Sequence, residues 1–204
     1  MKQTSRMVAR CIAALVCAIV PCTAIAQTEP VFQPEDVTGT VINMGGMRPI
    51  PGRTTDWFRL HIDRVSTVEE IAAYAALLKE KGPDAVVSAM QKAEEKGFIQ
   101  IGSSLGYPVA VIRVLDTDKG RVIRAATDRP IQFFEAWRNL RTVDYGFGVL
   151  EIVFDKNGKG EGKMIPAAKI GFNKEGTIEI ESYGSEPFRL MGVAAEPSKE
   201  KEKK

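Results

Sequence analysis

Cysteine is scarce in this 204-residue chain, and all three copies, Cys11, Cys17 and Cys22, lie near its start. A chain that loses its leader has no disulfide, no thiol nucleophile and no cysteine metal site. Histidine is rarer still, since His61 stands alone. A histidine-based metal centre would therefore need carboxylates for its other ligands, and no spacing supports one. There is no phosphate-loop lysine motif, no dinucleotide fingerprint and no serine nucleophile elbow. Gly102-Ser-Ser-Leu-Gly106 places glycines around serines, but it leaves no serine central. Long apolar runs are missing too. Cys11 to Val20 is about half of the roughly 20 residues that a helix needs to span a bilayer.

That short run makes sense with its flanks. Lys2, Arg6 and Arg10 precede it without an acid, Pro21 ends it, and Ala24-Ile25-Ala26 puts small residues before Gln27. These are the parts of a secretory signal peptide over residues 1–26. The expectation is an exported protein, periplasmic or extracellular, with no membrane span after cleavage. Ile19-Val20-Pro21 lacks the small residue expected ahead of a lipidated Cys22. Cleavage also changes the charge. The totals of 28 basic and 26 acidic residues become 25 and 26, so the basic character belongs to the leader and gives no argument for nucleic acid.

The remainder reads as a flexible lead-in over 27–35, one domain over 36–194 and a disordered charged tail over 195–204. Within the domain the apolar period changes. Val37 to Met44 reads as a strand, and Phe58, Leu60 and Ile62 alternate with Arg59, His61 and Asp63. Ser66-x-x-Glu69 has the spacing of a capping box. Ile71, Tyr74, Ala75, Leu77 and Leu78 form one helical stripe up to Gly82, and Val86, Val87, Met90 and Ala93 form a second after Pro83. Period two then returns in 98–101, 109–115 and 121–126, and again in 147–154, 162–172, 177–183 and 188–193. Turns at Asp116–Gly120, Asp155–Gly158 and Asn173–Gly176 join several of these strands. The expected fold class is α+β: a single, predominantly antiparallel β domain with a helical hairpin inserted at about 66–97 and packed on the sheet.

Candidate chemistry is sparse. His61 shares a polar strand face with Arg59 and Asp63, a setting that suits acid–base work and equally suits an ordinary wet strand face. Asp116-x-Asp118 and Asp155-x-Asn157-Gly158 lack the twelve-residue calcium-loop spacing and read as turns. Gly158-Lys-Gly-Glu-Gly162 follows a turn, where glycine permits a bulge or a close strand approach. The densest patch runs from Thr127 to Arg138. In it Phe133, Phe134 and Trp137 are candidates to wall a pocket that Asp128, Arg129, Glu135 and Arg138 orient. The same residues also suit a short amphipathic helix capping the sheet. No catalytic residue, cofactor or metal ligand is assigned.

The segments Ala126-Thr-Asp-Arg-Pro-Ile131, Gly148-Val-Leu-Glu-Ile152, Asn157-Gly-Lys-Gly-Glu-Gly162 and Glu181-Ser-Tyr-Gly184 resemble a family of exported bacterial proteins with no assigned activity. The likeness runs from about Gly39 to Val193 and is densest from Thr127 to Val193. It implies a bacterial, extracytoplasmic setting and carries over no site residue. Three functions are compatible with these features. The first is a non-enzymatic binding module for a small apolar ligand or an envelope protein. The second is a hydrolase-like enzyme using carboxylates such as Asp128 and Glu135, with His61. The third is an assembly protein acting through a sheet edge.

Overall fold

The computed structural model describes residues 32–42, 55–118, 120–131, 145–173, 176, 178–182 and 187–198. The signal segment and the aromatic stretch with Phe133, Phe134, Glu135, Trp137 and Arg138 lie outside the described residues, as do residues 199–204.

Strand alternation decides what is inside. In the strand Thr55–Ile62 (β2), Phe58, Leu60 and Ile62 are buried in one apolar cluster. Val37 and Val41 join them from Glu35–Ile42 (β1), and Ile99 and Ile101 from Gly97–Ile101 (β3). Val109 and Ile112 come from Tyr107–Thr117 (β4), and Ile123 and Ala125 from Gly120–Thr127 (β5). Phe147–Phe154 (β6) adds Leu150, Ile152 and Phe154, and Gly160–Phe172 (β7) adds Met164. Phe188, Leu190 and Val193 come from Phe188–Pro197 (β9). One face of every one of these strands thus feeds a common interior.

The expected antiparallel sheet with a helical hairpin at about 66–97 packed on it is corrected by the strand pairing. Every pairing is antiparallel, but β1 pairs with both β2 and β9, while β7 pairs with both β6 and β9. The ring β1-β2-β3-β4-β5-β6-β7-β9 returns to β1, so the fold is a closed eight-stranded barrel with two short helices. The short strand Ile178–Ser182 (β8) stands outside the ring, paired with the far end of β7. Closure is long-range: Glu35 pairs with Pro197 near the other end of the described chain. β9 thus continues three residues past the expected domain edge at 194, and Glu35 belongs to the first strand.

Close approach at the seam depends on glycine. A Cβ on Gly162 would lie 2.4 Å from the Glu151 carbonyl oxygen of β6. A Cβ on Gly160 would lie 2.9 Å from Val193 of β9, where the β7–β9 register shifts. A methyl group at either position would wedge β7 away from its neighbours.

The helices Val68–Lys81 (α1) and Pro83–Met90 (α2) lie between β2 and β3 in the chain and outside the barrel. The capping box sits one residue later than the spacing suggested. Thr67 Oγ accepts from the Glu70 N–H, and Glu70 Oε2 accepts from the Thr67 N–H at 2.9 Å. Ser66 has a different partner: its N–H donates to the Ile112 carbonyl at 2.7 Å and its hydroxyl accepts from the Ile112 N–H at 3.1 Å. α2 ends at Met90, leaving Ala93 of the expected stripe beyond it.

Candidate functional site

The outer face of the wall carries the residues that the interior leaves out, and they change character from row to row. Val111 of β4 opposes Ala126 of β5, Ala126 opposes Val149 of β6, and Val149 opposes Ile165 of β7. This four-strand row is wholly apolar and would be costly to leave wet. Leu78, Val86 and Met90 of the helices are buried in one cluster with Ala110, Phe147 and Ala168 of the wall, and the outer row packs against it. The helices do not meet the wall everywhere. Between them lies a cavity of about 620 Å³, with Ile71, Tyr74 and Leu78 from α1, Val86 and Met90 from α2, and Val111, Ala126, Val149 and Ile165 from the wall. Ile178 and Ile180 of β8 form a lip and are about half exposed, at 50% and 48%. A volume of this size falls within the roughly 300–1,000 Å³ of small-molecule sites.

One step along the strands the wall becomes charged. Arg113 opposes Arg124, Arg124 opposes Glu151, and Glu151 opposes Lys163. All four line the same cavity. Arg124 Nε donates to Glu151 at 2.6 Å, whereas Arg113 and Lys163 form no ion pair among the described residues. The cavity is therefore apolar along its length with a net cationic end. Burial pushes the Tyr74 phenol above its ordinary value of 10.0, and the nearby Glu70 charge adds to this, so Tyr74 stays neutral in the cavity. Glu70 in turn sits below its ordinary value through the hydrogen bond from the buried Lys96 ammonium at 2.8 Å and the bond from the Thr67 N–H. The Lys96 bond ties the first turn of α1 to the residue just before β3, and the Thr67 bond caps the helix.

A second polar cluster occupies the outer faces of β1, β2 and β3. His61 Nδ1 lies 2.8 Å from Asp36 Oδ1, and Nε2 lies 3.0 Å from Asp63 Oδ1. The imidazole stacks on Phe98 with ring centroids 5.0 Å apart. Arg59 grips Asp36 with two bonds, at 2.9 and 3.0 Å, and its guanidinium stands 5.3 Å from the Phe98 centroid. Burial raises Asp36, but the bonds from Arg59 and His61 outweigh it and hold the carboxyl below its ordinary value of 3.8. His61 is 2% exposed, and both ring nitrogens lie within hydrogen-bond distance of carboxylates. The cluster ties three strands together.

Of the residues singled out in the sequence patch, the structure describes Asp128 and Arg129. The Asp128 carboxylate is buried against Arg129, which donates to it twice at 2.9 Å, and neither residue lines the cavity. Their neighbours serve the barrel end. The Thr127 hydroxyl donates to the Arg129 carbonyl at 2.5 Å and accepts from the Gly148 N–H at 2.9 Å, and Ile131 plugs the interior. The cavity residues escaped the sequence reading as a group. Their separate stripes were visible in Tyr74, Leu78, Val86 and Met90, but their convergence depends on the order of β4 to β7.

Known protein families, curated proteins and solved structures provide no match to this chain. Among the described residues, no group of three or more histidine, cysteine, aspartate or glutamate side chains is placed to hold a metal ion, and no helix is long and apolar enough to cross a membrane.

Proposed function

We propose that this is an exported bacterial protein, acting in the periplasm or outside the cell as a non-enzymatic binding module for a small apolar ligand. The ligand lies between the α1–α2 pair and the outer wall of β4 to β7. The observation that carries this reading is the apolar cavity of about 620 Å³, floored by Val111, Ala126, Val149 and Ile165. Burial of apolar ligand surface there contributes about 25 cal/mol per Å² before the costs of association. The barrel supplies a rigid floor, and the helices supply a cover able to adjust to the ligand.

The test is fluorescence titration of the cleaved protein with Nile red, a neutral apolar dye. Saturable binding with a blue-shifted emission is expected. Ala126→Trp fills the floor and Ile180→Asp puts a charge on the lip, so each is expected to weaken binding at least about tenfold, equal to about 1.4 kcal/mol. Circular dichroism melts of both variants confirm that the barrel persists. Undiminished binding by two folded variants would place the dye elsewhere and overturn the site.

A further inference from the structure

Resting on that reading of the cavity, we propose that its ligand is a single-chain amphiphile with an anionic head, its tail along the apolar row and its head on Arg113, Arg124 and Lys163. Three observations converge on this chemistry. The first is the sharp change between adjacent rows of the wall, from Val111, Ala126, Val149 and Ile165 to Arg113, Arg124, Glu151 and Lys163. A purely apolar ligand gains nothing from the second row, and a purely polar one gains nothing from the first.

The second observation is the register of the arginines. Arg113 and Arg124 are directly opposed across β4 and β5, where like charges destabilise a strand pair. Glu151 bonds to Arg124 and so relieves one of them. A carboxylate or phosphate monoester lying between the two guanidiniums relieves both, and guanidinium forks suit such planar or multidentate anions. The third observation is that the charge excess continues. Lys163 opposes Arg189 of β9, so the row of five carries four cations and one carboxylate. An approaching anion is drawn to this end of the cavity, and a cation is repelled.

The experiment compares cis-parinaric acid, a naturally fluorescent fatty acid, with its methyl ester on the cleaved wild-type protein, and then on Arg113→Gln and Lys163→Gln. The acid is expected to bind about tenfold or more tightly than the ester, because only the acid places an anion on the guanidiniums. Both variants are expected to erase most of that preference while leaving ester binding within about twofold. Lys163 is exposed, so its variant keeps the proposal testable if Arg113→Gln folds poorly. The preference is also expected to shrink with added salt. Equal binding of acid and ester, or a preference unmoved by both variants, overturns the anionic head while leaving the Nile red site standing. Failure of Nile red, acid and ester alike overturns the cavity itself. A decyl phosphate competitor then tells the two head groups apart: displacement of the acid probe admits a phosphate monoester, and no displacement restricts the head to a carboxylate.

Discussion

Asp36 shows how one carboxylate can organise a patch that resembles a catalytic centre. It receives two bonds from Arg59 and one contact from His61, while Phe98 lies under both partners. Asp36→Asn keeps the shape and removes the charge. At pH 7 it is expected to lower stability by about 1.5–3 kcal/mol, the range for hydrogen bonds to charged groups. Because the folded carboxyl titrates below its ordinary 3.8, its contribution is complete above that value. It is lost as pH falls through the lower folded value. Urea unfolding of wild type and variant should therefore differ clearly at about pH 5 and above and converge in stronger acid. Equal stabilities at pH 7 would remove Asp36 from the structural account. At this scale the sequence was partly legible. Alternation placed Arg59, His61 and Asp63 on one face, but Asp36 comes from another strand whose register no local pattern encodes.

Among the elements, β7 carries the closure, because it alone meets β6, β8 and β9. Its glycines separate by environment. Gly162 faces the Glu151 carbonyl, whereas a Cβ on Gly171 would meet nothing within 4 Å. Gly162→Ala is expected to cost about 1–3 kcal/mol, as overpacking does, and Gly171→Ala to stay within about 0.5 kcal/mol of wild type. Thermal unfolding of the pair measures this, and equal melting temperatures would contradict the account of the seam. The strands and both helices were readable from periodicity, and most ends fell within a few residues, but α2 stops at Met90, well short of the expected hairpin end at about 97. The shift of the capping box from Ser66 and Glu69 to Thr67 and Glu70 shows why ends slip. Ser and Thr are both good N-caps, and here the backbone of Ile112 takes Ser66. Closure was illegible because hydrophobic alternation is identical in an open sheet and a barrel. The difference lies in which strand covers the last edge, and here Phe188–Pro197 covers β1.

At the scale of the whole molecule, closure divides the protein into parts of unequal firmness. Each ring strand pairs on both sides, and the interior is filled by side chains such as Leu60, Ile112, Ile123 and Ile152 with no measurable exposure. The α1–α2 pair fully buries only Leu78, Val86 and Met90, with Tyr74, Leu77 and Val87 partly buried against the same cluster, and Ile71, Tyr74 and Ala75 reach the cavity. Full apolar burial of one side chain contributes about 1.5–3 kcal/mol, so three full anchors, three partial ones and the Lys96–Glu70 bond hold the helices less firmly than two-sided pairing and a filled interior hold the barrel strands. The helices should then open without the barrel unfolding, which also gives an apolar ligand its way in. Native-state hydrogen exchange measures this directly. Amides of residues 71–90 are expected to exchange through openings of lower free energy than those of β2, β5 and β6. With cis-parinaric acid at about a hundredfold excess over its Kd, the helical amides should gain about 2.7 kcal/mol of protection. Helical amides as protected as the barrel strands in the free protein would close that entrance. Protection that does not rise with the acid bound would mean that the helices do not cover it.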